Sequence, residues 1–135
     1  MATKKIFISY DYDNDKHWKN LLLAWSKNPD FADFYINDQS VTVAVDSYAA
    51  GPIKRVISAK ISDATGFLCI VGEKTYRSSW VDWEIKKAVE LRKKMIAVKT
   101  AKDNTTPDAL YGVGATWALS FTLEGIKKAI DEAYS

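Results

Sequence analysis

Short apolar runs alternate along this chain with stretches in which apolar residues return every three or four positions. The first run, Lys5 to Tyr10, is rich in β-branched and aromatic residues and predicts a buried parallel strand. The acidic stretch Asp11-Tyr12-Asp13-Asn14-Asp15 reads as a loop that feeds a helix cap. From Lys16 to Lys27, Trp18, Leu21, Leu22 and Trp25 recur at helical spacing, and Asn28-Pro29 closes the run. Phe34-Tyr35-Ile36 is favoured as the second strand over the more cleanly alternating Val41 to Val45. Asp46 to Gly51 then reads as a loop, Pro52 as a first helical residue, and Ile53, Val56, Ile57 and Ile61 as the inward face of a helix.

Thr65 to Val71 is the second fully apolar strand, closed by Gly72. A loop from Glu73 to Ser79 leads to a helix that the pattern extends to Lys94, followed by a third apolar strand, Met95 to Val98. Residues 101–114 are polar and turn-rich and read as a long surface loop, with a short strand from Ala115 to Leu119 after them. Thr122 is the expected cap of a last helix with Leu123, Ile126 and Ile130 facing inward. Strand and helix alternating through a single domain, residues 1–135, predict an α/β three-layer fold with a five-stranded parallel sheet covered on both faces. The two most apolar strands, the first and third, belong at the centre, which gives the flavodoxin-like order 2-1-3-4-5. In that order a ligand crevice opens at the carboxyl ends of strands one and three, at Ser9 to Asn14 and Gly72 to Ser79.

One residue breaks the helical pattern beside that crevice. Val81, Ile85, Ala88 and Val89 form an inward stripe, widened by Trp80 and Leu91, and Glu84 falls inside it while Trp83 falls on nearly the opposite face. An acid in an apolar stripe is either half of a structural ion pair or a carboxylate kept partly dry at the rim of a pocket.

Composition narrows the chemistry. A net charge of +2 from well-mixed signs gives no phosphate-tracking stripe, so nucleic acid is not an expected partner. No stretch is long enough for a signal peptide or a membrane span, and the expected location is the cytoplasm. The single histidine, His17, argues against metal clusters and Ser-His-Asp triads, and the lone Cys69 reads as a buried filler. No metal and no bound cofactor are expected. A phosphoacceptor receiver needs an aspartate after the third strand, where this chain has Gly72-Glu73. A dinucleotide-binding oxidoreductase needs a glycine-rich turn, where it has Asp11-Tyr12-Asp13-Asn14.

Ile6-Phe7-Ile8-Ser9-Tyr10-Asp11 together with Ser79-Trp80-Val81-Asp82-Trp83-Glu84-Ile85 resembles a TIR (Toll/interleukin-1 receptor) domain. The resemblance is strongest to short stand-alone prokaryotic TIR-like proteins, including the nucleotide-signalling component of the Thoeris antiphage system. Asp38 to Gly51 departs from animal receptor TIR domains in lacking their proline-bearing signature. The resemblance implies an NAD glycohydrolase or cyclase, with NAD as substrate and Glu84, four positions after Trp80, as the catalytic glutamate. It implies a substrate site drawn from Ser9, Tyr10, Asp11 and Asn14 at the mouth of strand one, walled by Trp80. Arg77 is open to two readings, a charge for a diphosphate or a solvated loop arginine. Self-association through Trp83 and Tyr76, and a downstream effector reached through a cyclic ADP-ribose isomer, complete the expectation. The alternatives are a non-catalytic TIR interaction module and a nucleoside deoxyribosyltransferase-like enzyme.

Overall fold

The computed structural model describes residues 4–27, 32–36 and 43–135. Five parallel strands, β1 (Lys5–Ser9), β2 (Asp33–Ile36), β3 (Gly66–Val71), β4 (Lys94–Lys99) and β5 (Thr116–Ala118), form one sheet in the order β2-β1-β3-β4-β5. This is the flavodoxin-like arrangement that the alternation of strands and helices predicts. Helices α1 (Tyr12–Trp25), α2 (Ala50–Asp63), α3 (Ser79–Glu90) and α4 (Leu123–Ala133) cover it.

The period-two alternation of the strands sorts the core into two layers. Ile6, Ile8, Leu68, Ile70, Ile96 and Val98 meet Leu22 of α1 and Ile126 and Ile130 of α4 on one face. Phe7, Phe67, Cys69, Val71, Met95 and Ala97 meet Ile57 and Ile61 of α2 and Val81, Ile85 and Ala88 of α3 on the other. Phe7 and Phe67 stack across neighbouring strands with centroids 5.9 Å apart. Cys69 is buried in this layer, and burial pushes its thiol well above the usual range, as suits a filler rather than a nucleophile. Among the described residues no helix is long and apolar enough to cross a membrane.

Several boundaries differ from the sequence expectation. Helix α1 starts at Tyr12, not Lys16, because Asp11 adopts extended geometry and its carbonyl accepts from the amide of Asp15 at 2.8 Å; the acidic stretch is a first helical turn. Helix α2 begins at Ala50, which makes Pro52 its third residue, and Val56 turns outward at 57% exposure. Val43 to Val45 form no strand, and Val41 and Thr42 lie outside the described residues, as do Asn28 and Pro29.

Helix α3 ends at Glu90, and Lys94 already belongs to β4. Arg92 at φ 59° takes the left-handed position, the Arg92 amide donates to Val89 and the Lys93 amide to Ala88, which together make a Schellman stop without glycine. Val89, at 40% exposure, and Leu91 therefore leave the stripe, and Leu21 and Leu123 are likewise exposed. Thr122 caps α4 as expected, accepting from the amide of Gly125 at 3.0 Å. The 101–114 segment is anchored rather than merely superficial. Asn104 donates to the Val71 carbonyl at 3.0 Å, and Leu110, in a 3-10 turn, is buried in the α2/α3 layer.

The contrast along α3 is directly measurable. Ile85→Ala should cost about 2–5 kcal/mol in urea unfolding, because it opens a cavity in a filled layer. Val89→Ala should stay within about 0.5 kcal/mol, since solvent already reaches that side chain.

Candidate functional site

Parallel pairing sets the site. β1 and β3 run side by side in the register Ile6↔Gly66 to Ser9↔Cys69, so their carboxyl ends finish together and both following segments start from one edge. Ser9 shares its face with Phe7, the face that α3 covers, and there it meets Glu84. The Ser9 hydroxyl donates to Glu84 Oε1 at 2.6 Å, and Glu84 is only 6% exposed. Among the described residues no cation pairs with it. Burial pushes the Glu84 carboxyl up to about 7, and the bond from Ser9 offsets part of that rise. Among the described residues, then, no ion pair accounts for this acid, which is a buried carboxyl bonded to a neutral hydroxyl.

A second buried acid lies close by. Asp15, in the first turns of α1, accepts from the Thr75 hydroxyl at 3.1 Å, and the same hydroxyl accepts the amide of Gly72 at 2.8 Å. Burial raises the Asp15 carboxyl above its ordinary value, the Thr75 bond lowers it, and the charge of Asp11 raises it again. The Asp15 carboxylate occupies the space that a side chain on residue 72 would need, which requires glycine there. This clasp joins α1, the end of β3 and the 3-10 turn Thr75–Arg77 that leads into α3.

At the rim, a groove of about 320 Å³ opens between these segments. Asp11, Asn14 and Trp80 line it, whereas Ser9 and Glu84 are not among its lining residues, and the Asn14 side-chain amide donates to Asp11 Oδ2 at 2.7 Å. Trp80 packs on the α2/α3 layer and also lines the groove, with its indole N–H donating to the Val43 carbonyl at 2.9 Å.

Tyr10 does not belong to this site. It follows Ser9 and so points to the opposite face, where it is 8% exposed within the α1/α4 layer and Lys19 Nζ lies 5.6 Å from its ring centroid. The expected exposed pair of aromatics is also altered. Trp83 is half-buried, edge-on to Trp80 at 5.9 Å, with Lys54 of α2 at 5.7 Å from its ring centroid, because α2 covers that flank of α3. Tyr76 is 42% exposed, with the Arg77 guanidinium over its ring.

The sequence reading missed Asp15, Lys19 and Thr75, all buried. A signal for the first two existed: once α1 is begun at Tyr12, Asp15, Lys19 and Leu22 stand four and three residues apart on its inward face. Thr75 carried none, since a threonine in a polar loop is ordinary.

The sequence matches the family described as Thoeris protein ThsB, TIR-like domain, over residues 7–105. No curated protein matches it. Among solved structures, it resembles a 2-deoxyribosyltransferase from Bacillus psychrosaccharolyticus, with TM-score 0.54, 17% identity, and 76% of this chain and 77% of that one covered. A 3-dehydroquinate dehydratase-like protein from Bifidobacterium longum gives TM-score 0.51 at 16% identity, covering 98% of this chain and 97% of that one. Both are likenesses of fold. The TIR domains of the activated Roq1 resistosome align over 97% of this chain and 83% of theirs, at 12% identity and TM-score 0.48.

The buried carboxyl has a measurable signature in stability. Between 4.5 and about 7 the folded protein holds a proton on Glu84 that the unfolded chain has lost, so this group makes stability fall as pH rises through that window. Glu84→Gln removes the penalty. The difference in unfolding free energy between variant and wild type should shift in the variant's favour by about 3 kcal/mol from about pH 4 to about pH 8.5. A difference that does not change with pH would mean that Glu84 titrates in the folded protein as it does in the unfolded chain.

Proposed function

Because the chain belongs to the Thoeris ThsB TIR-like family, we propose that it cleaves the bond between nicotinamide and ribose in NAD, with Glu84 as the catalytic carboxylate. The observation that supports this reading is the buried Glu84 carboxyl beside Ser9, without a cation partner among the described residues, on the same helix as Trp80, which lines the groove. Breaking the C1′–N bond sends its electron pair to the pyridinium ring, which leaves as neutral nicotinamide, and builds positive charge on the ribosyl centre. Nicotinamide needs no proton to leave, so the demand falls on charge stabilisation rather than on a general acid. A carboxylate poorly reached by water meets that demand strongly. Ser9 holds it in place with one hydrogen bond without neutralising it, which a lysine or arginine would do. Asp11 and Asn14, at the groove rim, are suited to ribose hydroxyls.

The ribosyl centre is then captured by water, giving ADP-ribose, or by a nucleophile of the same molecule, giving a cyclic isomer. Internal capture is favoured where a nucleophile of the same molecule can reach the ribosyl centre and water is kept from it. A cyclic ADP-ribose isomer suits a messenger for a separate effector in antiphage defence, and self-association of the TIR-like domain suits its activation.

The deciding experiment is incubation with NAD, with chromatography and mass spectrometry of the products. Wild type should release nicotinamide, and Glu84→Gln should do so about 100-fold more slowly or less while remaining folded. A variant as active as wild type would remove Glu84 from the chemistry. The rate should rise with pH around a midpoint of about 7, because the ionised carboxylate is the active form. A product carrying no added water would establish cyclisation, and ADP-ribose alone would exclude it.

A further inference from the structure

The groove beside Trp80 is one of two that share a wall. On the other side of Lys74 and Arg77 lies a second groove of about 450 Å³, to which Tyr76, Ala101, Asn104 and Thr105 contribute. Lys74 and Arg77 are the residues common to both linings. They form a cationic ridge between two concave spaces.

The charges around this ridge are distributed in a particular way. Asp11 and Asp13 stand in the first groove and Glu73 and Asp103 in the second, so each floor repels a phosphate. Among the described residues neither Lys74 nor Arg77 has a carboxylate partner. The Arg77 Nε donates to the Tyr76 hydroxyl at 2.8 Å, and the guanidinium carbon lies 5.3 Å from that ring's centroid. That contact orients the fork and leaves its terminal nitrogens without a partner among the described residues, which is the arrangement that binds two phosphate oxygens at once. Lys74 adds a mobile point charge three residues away.

We infer that Lys74 and Arg77 hold the diphosphate of a dinucleotide whose two nucleoside ends occupy the two grooves. The nicotinamide riboside end lies on the Trp80 side, nearer Glu84, and the adenosine end lies against Tyr76 and Asn104. The orientation rests on Glu84 being the ribose-facing carboxylate. The two-lobed shape does not. An anionic linker between two neutral or cationic ends fits a positive divide between two acidic grooves, whereas a lone nucleoside fills one groove and leaves the ridge unused.

The test uses the full chain and two probes, ADP and adenosine, titrated calorimetrically into wild type and into a Lys74→Ala/Arg77→Ala double variant. Both side chains are exposed, so the variant should melt as wild type does. Wild type should bind ADP more tightly than adenosine. The double variant should lose about tenfold or more in ADP affinity and little in adenosine affinity. With NAD, the double variant should show a KM raised by about tenfold or more and a kcat changed by less than about threefold, as expected when a group binds substrate away from the reacting bond. Equal ADP affinity in the two proteins, or wild-type ADP binding no tighter than adenosine, would overturn the diphosphate site. If ADP binding depends on the pair but wild type cleaves no NAD, the ridge stands and the catalytic reading falls. If NAD is cleaved with the same KM by both proteins, the ridge falls and the catalytic reading stands.

Discussion

The carboxyl edge of the sheet depends on one pairing, β1 against β3. Their register makes Ser9 the neighbour of Cys69 and brings both strands to an end at the same level. Because side chains alternate from face to face, that register decides which residue of the Ser9-Tyr10 pair lies under α3 and which lies in the α1/α4 layer. A slip of one residue would set a tyrosine ring where a hydroxyl now holds Glu84. The large apolar side chains of the two layers, stacked Phe7 and Phe67 among them, oppose such a slip, since it would reverse every one of them at once. The stability of the core and the placement of the polar site therefore rest on the same contacts.

Two buried acids sit at this edge, each joined to a hydroxyl: Glu84 to Ser9 and Asp15 to Thr75. Burial raises both carboxyls. The consequences differ because their surroundings differ. Asp15 is tied to a hydroxyl that also takes a backbone amide, so it fixes the path of the chain from β3 into α3. Glu84 has Ser9 and the buried apolar neighbours Val81, Ile85 and Ala88 on α3, and it lies within a helix rather than against a turn. A carboxyl held by a neutral donor keeps its proton affinity near neutrality, whereas a guanidinium in place of Ser9 would bind it more firmly and remove its usefulness. The fold thus accepts a destabilising charge at one position and uses a similar one at another to hold the first in place.

The sheet order and the acid inside the α3 stripe were legible in the sequence because they depend on periodicity, which local spacing records. Helix ends were less legible. Arg92 stops α3 in a conformation usually taken by glycine, and no residue type announces that, so the apolar pattern carries through Leu91 toward Lys94. The acids of α1 read as a loop because their charge outweighed their spacing, and with them went Asp15, the buried acid that accepts from Thr75. Tyr10 was placed in the site by its nearness in sequence to Ser9, although parity sends it to the other face. Trp83 was expected to be exposed from its own helix alone, and its cover comes from α2, a contact that no single element contains.

The absence of a side chain at Gly72 also constrains how this crevice can vary. Its missing Cβ is the space in which the Asp15 carboxylate rests, and that carboxylate reaches Thr75 only because the space is empty. Residue 15 lies in α1 and residue 72 follows β3, far apart along the chain, yet the side chain at 15 limits what residue 72 can carry. Enlarging residue 72 would displace the Asp15 carboxylate, and shortening residue 15 would leave the Thr75 hydroxyl with the Ile70 carbonyl, at 3.3 Å, as its acceptor. The two positions are therefore coupled in size, although neither lines the grooves outside them.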